Sequence, residues 1–248
     1  MKTKSELYDY LHAFGQKIFI NSDNEYLLEM ATKSGVNISG KLIKYSFHNT
    51  DNLIFTVGEV ISCSPFLNLR CKTIRAEFEV QSNLVGVYNA ENMLAAVTIG
   101  SFFDVPESLI KLGLESYIPQ NNRSQLTVSS KNKLVVDAYN ANPTSMLAAI
   151  MNFVQMNVSS KMLILGDMLE LGETSKEEHQ RIINVLEKYQ FKQVWLVGGY
   201  FEATNNSFEV FMNVDEVVQR IKNEDIRDCY ILIKGSRGIK LEKIIPYL

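Results

Sequence analysis

At 248 residues the chain has room for one large domain or two of ordinary size, and 46% hydrophobic with 21% charged residues excludes a disordered or collagen-like protein. Basic and acidic side chains number 25 and 28, split 10 against 13 before residue 118 and 15 against 15 after it, so neither half carries the cationic excess that a nucleic-acid backbone demands. The sequence has no run of ~18 apolar residues and its opening, MKTKSELYDYLHAFG, lacks a signal-peptide core, which together imply a cytoplasmic protein without membrane or nucleic-acid partners.

The pattern predicts a helix over Ser5–Phe14, a short strand over Lys17–Asn21 and a second helix after Asn24 that ends near Gly35. From Lys41 to about Ser82, segments such as LIKYSF, LIFTVGEVI and IRAEFEV read as an antiparallel meander or the margin of a sheet. Helices are predicted from Asn89 to Phe103 and from Pro106 to Tyr117, closing at Pro119. Beyond a boundary placed at 118–123, strand, turn and helix alternate. LTVSS and KLVVDAY precede a helix over Pro143–Met156, and KMLILGD precedes one over Ser175–Tyr189. KQVWLVGG, FEVFM, a helix over Val214–Lys222, CYILIKG and a last helix from about Arg237 complete the run. Buried apolar strands alternating with amphipathic helices specify a mainly parallel sheet covered on both faces.

Several familiar chemistries have no residues to stand on. Cys63, Cys71 and Cys229 are odd in number and form no C-x-x-C pair, and His12, His48 and His179 form no H-E-x-x-H, so neither a disulfide framework nor a metal centre is expected. There is no G-x-S-x-G for a serine hydrolase.

Polar residues at strand ends are the candidates. In LVVDAYNANPTSM, Asp137 closes a strand and Tyr139, Asn140 and Asn142 lead into a helix, the position where open α/β sheets bind ligands; Asn142 reads equally as the cap of that helix. Asp167, Glu170 and Glu173 form an acidic loop suited to a cation or an amine, or simply to water. Lys234 and Arg237 follow the last strand and can face a carboxylate. Asn89 and Asn92 share a helix face and can read a nucleobase edge, although Asn89 also suits an N-cap; Arg123 can reach a phosphate or lie on the surface.

Taken in order, GVYNAENMLAA, Arg123, DAYNANPTSM, LGDMLELG and KGSR resemble the Mur ligase family, within it the branch that adds a D-alanyl-D-alanine dipeptide. The resemblance spans essentially the whole chain. It implies a Rossmann-like C-terminal domain over 119–248, preceded over 1–118 by the carboxyl part of a central ATPase domain. It also implies an ATP- and Mg²⁺-dependent ligase, acting as a monomer through an acyl phosphate, that joins D-alanyl-D-alanine to UDP-N-acetylmuramoyl-tripeptide in peptidoglycan precursor synthesis. Residue by residue it implies that Asn89, Asn92 and Tyr88 meet adenine, with Tyr88 standing where relatives often have His. Arg123 and Asp137 are implied beside the ribose and phosphates as the catalytic pair, Tyr139, Asn140 and Asn142 in the closing loop, and Lys234 and Arg237 at the dipeptide end. The family's G-x-x-G-K-[ST] phosphate loop and carbamylated lysine have no counterpart here, Gly40-Lys41 being followed by Leu42. The chain is therefore expected to be a carboxyl-terminal part, inactive alone. A non-catalytic nucleotide- or dipeptide-binding module is the alternative, ahead of a folylpolyglutamate synthetase, which would carry D-G-A-H-N-P.

Overall fold

The computed structural model describes residues 2–35, 40–48, 53–120 and 123–248. Positions 121 and 122 of the expected boundary lie outside the described residues. The chain divides into two compact units, the first built from Met1–Ser62, Leu67–Ser82 and Asn89–Tyr117, the second from Cys63–Phe66, Asn83–Tyr88 and Ile118–Leu248.

The first unit holds α1 (Lys2–Ala13), β1 (Ile18–Asn21), α2 (Glu25–Lys33), β2 (Leu42–Ser46) and most of β3 (Ile54–Cys63), β4 (Phe66–Thr73) and β5 (Glu77–Val85), followed by α3 (Ala90–Phe102) and α4 (Glu107–Ser116). The strands lie in the order β1-β2-β3-β4-β5. Ile18 and Ile20 alternate onto one face of β1 and are buried against Ala31 of α2, and Asn24 Oδ1 caps that helix at the Leu27 amide, 3.3 Å away. LIKYSF does not belong to an antiparallel meander: β2 runs parallel to both β1 and β3. The cause is α2, which carries the chain back along the sheet so that β2 enters in the same direction as β1.

Arg75 joins α3 to α4. Its guanidinium donates to the Ser101 carbonyl at 2.8 Å, in the last turn of α3, and reaches Asp104 at 2.9 Å and Glu107 at 2.7 Å. Helix-end carbonyls lack intrahelical donors, and here one side chain supplies them. Arg75→Ala is expected to lower stability by about 1–2 kcal/mol, since charge-assisted bonds to a helix end are lost from a partly solvated site. Urea unfolding with an unchanged m-value checks this, and Arg75→Lys is expected to restore less than half.

The second unit is a six-stranded sheet in the order β10-β9-β8-β11-β7-β6, from β6 (Gln125–Val128), β7 (Lys133–Asp137), β8 (Lys161–Gly166), β9 (Gln193–Val197), β10 (Glu209–Phe211) and β11 (Tyr230–Lys234). Only β6, on β7, pairs antiparallel; all other neighbours are parallel. Both faces are covered, as the apolar strands require. Leu134, Val136, Met162, Ile164, Ile231 and Ile233 face one cluster, into which α8 (Val214–Asn223) sends Val217 and Ile221. Val135, Leu163, Leu165 and Leu232 face the other, with Met146 and Ile150 of α5 (Pro143–Gln155) and Ile182 of α6 (Ser175–Leu186). The expected mainly parallel, doubly covered sheet is thus present.

One element goes beyond the expected set, and one expectation needs correction. A one-turn helix, α7 (Gly199–Glu202), follows β9 and has no signal in the apolar pattern. The last helix is instead a pair of 3₁₀ segments, Arg237–Ile239 and Leu241–Tyr247, because Lys240 between them is left-handed at φ 62° and Pro246 cannot donate within a helix.

Candidate functional site

The chain leaving β7 passes to α5 on one face of the sheet. The chain leaving its neighbour β11 passes to the opposite face, where Leu241 and Ile244 are buried. Adjacent parallel strands whose connections diverge in this way leave a crevice at their carboxyl ends. Asp137 and Lys234 are the last residues of these two strands and stand in register there.

Lys234 is 1% exposed and donates from Nζ to Asp137 Oδ2 at 2.6 Å and to the Asn140 carbonyl at 3.3 Å. Its ammonium is spent inside the protein, holding the strand-end carboxylate and the loop after it. Beside this pair, the Tyr139 ring lies under the Arg123 guanidinium, 3.6 Å from its centroid, with Arg237 at 5.5 Å. Among the described residues neither arginine has an ion-pair partner, so two cations stand on an aromatic platform that is itself 37% exposed. Tyr88, in the same unit, bonds through its hydroxyl with Ser124 Oγ at 3.0 Å. Burial, reinforced by the Asp137 charge, pushes its phenol well above the ordinary range.

The other candidates are placed differently. Asn140 Oδ1 accepts from the Ala141 amide at 2.9 Å, shaping its own turn. Asn142 forms a capping box with Ser145, with bonds of 2.9 and 3.1 Å ahead of Pro143 at the first helical position, so its side chain serves α5. Asn89 and Asn92 lie in the first unit at the start of α3, where Asn92 donates to Asn89 Oδ1 at 3.4 Å; the Asn89 side chain makes no cap bond.

The acidic loop does not converge. Glu170 and Glu173 are exposed, whereas Asp167 is buried and accepts from the Tyr200 and Phe201 amides at 3.0 Å each. Burial raises its pKa, with those two amides opposing the rise. The fully buried His179 accepts the Met168 amide at Nε2 (3.0 Å) and places Nδ1 2.7 Å from the Ser175 carbonyl. That pattern assigns the proton to Nδ1 and leaves the ring neutral, so its 3.6 Å approach to Asp167 is not an ion pair. Among the described residues no three metal-binding side chains form a group, and no helix is long and apolar enough to cross a membrane.

Sequence reasoning passed over Ser236. Its amide donates to the Asp167 carbonyl at 3.0 Å and its hydroxyl accepts from Leu169 N at 3.0 Å while lying 3.5 Å from the Ala141 carbonyl, so one buried residue ties together the loops after β7, β8 and β11. Its only signal is a small polar residue after Gly235, where a Cβ would come within 2.9 Å of Gly166 Cα.

Residues 1–100 match the family model for the Mur ligase middle domain, and residues 122–237 match that for the Mur ligase, glutamate ligase domain. A Buchnera aphidicola (subsp. Baizongia pistaciae) protein named UDP-N-acetylmuramoyl-tripeptide--D-alanyl-D-alanine ligase is 28% identical over 254 residues, covering all of this chain and 54% of the relative. The Bacillus subtilis protein of the same name is 33% identical over 177 residues, covering 66% of this chain and 38% of its own. A crystal structure of MurF from Acinetobacter baumannii superposes with a TM-score of 0.76 at 22% identity, over 92% of this chain and 50% of that one, a likeness of fold. The chain spans about half the length of the curated relatives it matches. With a parallel α/β sheet, a strand-end crevice and two successive domain matches in the family's own order, the chain belongs to the Mur ligase family.

Proposed function

We propose that the chain works as part of an ATP-dependent amide ligase that adds D-alanyl-D-alanine to UDP-N-acetylmuramoyl-tripeptide. Residues 1–118 would be the carboxyl part of its central ATP-binding domain and 119–248 its C-terminal domain. One observation carries the reading: in a chain that aligns along its whole length with ligases of that name, Asp137 ends β7 at the crevice beside β11, and, two residues on, Tyr139 carries two guanidiniums that have no ion-pair partner among the described residues.

ATP, when bound, supplies the phosphoryl group that activates a carboxylate for amide formation. Arg123 and the Tyr139 ring suit the anionic and planar parts of a nucleotide, and Asp137 suits the hydroxyls of a ribose. On the first unit the exposed Asn92 carries an amide of the kind that pairs with adenine, while Asn89 is buried and accepts from it. Arg237 is free to orient a carboxylate, whereas buried Lys234 acts by holding Asp137 and the Asn140 loop in place. The residues here do not fit a Mg²⁺ site: no group of three ligands exists among those described, and the 248 residues contain no G-x-x-x-x-G-K-[ST] loop to grip a triphosphate. Their share of the reaction is binding and orientation.

Isothermal calorimetry on the chain tests this. ADP and ATP are expected to bind weakly and alike, and Arg123→Ala is expected to weaken both by roughly tenfold, the value of about one charge-assisted bond. No release of ADP or phosphate is expected with the full substrate set. A strong Mg²⁺-dependent preference for ATP, or turnover by the chain alone, would contradict the assignment.

A further inference from the structure

The opposite, amino edge of the six-stranded sheet carries a second arrangement that the ligase reading does not use. Cys229 immediately precedes β11, and with Lys133, Ser159, Asp228 and Tyr230 it lines an open cavity of about 250 Å³. Its sulfur lies 3.1 Å from the Arg227 carbonyl, which accepts the thiol proton. On its other side Lys192, from the turn before β9, donates from Nζ to Sγ at 3.2 Å. The sulfur thus has an amine within a short movement of bonding distance and a cavity wide enough for a small oxidant. Lys192 is otherwise an exposed side chain on a flexible stem, free to close the remaining gap.

We propose that Cys229 and Lys192 form a peroxide-responsive modification site in which the oxidised sulfur is captured by the lysine as a reversible sulfenamide. In the first step the Cys229 sulfur attacks hydrogen peroxide and the O–O bond breaks. One oxygen stays on sulfur as the sulfenic acid and the other leaves as water, with sulfur giving up two electrons. In the second, the neutral Lys192 amine attacks sulfur, the S–O bond breaks, and the hydroxyl leaves as water with a proton from Nζ. Thiol, amine and one peroxide become one S–N bond and two waters. Dithiothreitol returns the thiol and amine, giving up two electrons as it closes to its own disulfide. Capture also removes the sulfenic acid before a second peroxide can carry it to the irreversible sulfinic acid. Cys229 is itself only 2% exposed, so what sets it apart is the amine and the cavity beside it: the Cys63 sulfur faces the Pro65 carbonyl and the Asn152 amide oxygen, and burial pushes the thiols of Cys63 and Cys71 up, the latter to about 12.

The test exposes the full chain, Lys192→Ala and Lys192→Gln to hydrogen peroxide at mildly alkaline pH, followed by peptide mapping by mass with and without dithiothreitol. The expected result is a Lys192–Cys229 cross-linked peptide, lighter by two hydrogens than the sum of its parts and lost on reduction, together with severalfold more irreversible oxidation of Cys229 in both variants. Lys192→Gln keeps a hydrogen-bond donor beside the sulfur but no nucleophilic amine, so it separates capture from hydrogen bonding. Cys229 that takes up no oxidant would overturn the proposal. So would Cys229 found only as oxygen adducts, a bridge that retains an oxygen atom, or equal irreversible oxidation in all three proteins.

Discussion

Asp137→Ala is expected to destabilise the second unit by about 3–5 kcal/mol, because it strands a buried ammonium. Lys234 is 1% exposed and its charge is met by a single carboxylate oxygen at 2.6 Å and one carbonyl at 3.3 Å. Removing the carboxylate deletes the larger partner while the desolvation cost of Lys234 remains. Lys234→Met in the Asp137→Ala background is expected to recover most of the loss, since it removes the stranded charge and keeps a buried apolar stem of similar length. Denaturant midpoints for the two single variants and the double variant decide the matter. A loss under about 1 kcal/mol for Asp137→Ala would mean that the ammonium reaches water, and the strand-end pair would then have no structural weight.

Gly198→Ala is expected to cost about 3 kcal/mol or more, a fall in Tm of roughly 6–12 °C for a unit of this size. Gly198 has φ 123° and ψ 163°, a conformation essentially confined to glycine, and a Cβ there would collide with the Asp167 carboxylate. Relieving the collision requires that carboxylate to leave the Tyr200 and Phe201 amides, so strain and broken hydrogen bonds add. Adding Asp167→Ala to Gly198→Ala should therefore cost less than the sum of the two single changes. Full additivity in thermal melts would show that the collision is relieved elsewhere.

The sequence of the second unit states most of its elements openly, since apolar strands and capped helices are local signals. Asn142 ahead of Pro143 is readable as a cap, and Asp137 as a strand-end carboxylate, without any tertiary knowledge. The partner of Asp137 is not readable, because Lys234 lies 97 residues away and periodicity carries no strand order. Asp167 misleads for a related reason. Three acids in seven residues look like one solvated loop, yet one of them turns inward to hold the start of α7, itself too short to have a period. LEKII has helical spacing, but the left-handed Lys240 and Pro246 on either side of it confine the backbone to 3₁₀ turns. In the first unit the direction of β2 depends on where α2 returns the chain, which composition does not encode.

The strand order also decides when the crevice comes into being. β11 sits between β7 and β8 yet is the last strand of its sheet to be synthesised. Until residues 230–234 leave the ribosome, β6–β7 and β8–β9–β10 can exist only as two separate ribbons, each with an open inner edge. Closing them requires one strand to pair on both sides at once, across sequence separations near a hundred residues on the β7 side, a slow step by loop-closure entropy. Asp137 stays hydrated through most of translation and acquires Lys234 only as the sheet zips shut, so a nascent chain stalled before β11 has the loop after β7 but neither the neighbouring strand end nor the charge that balances Asp137.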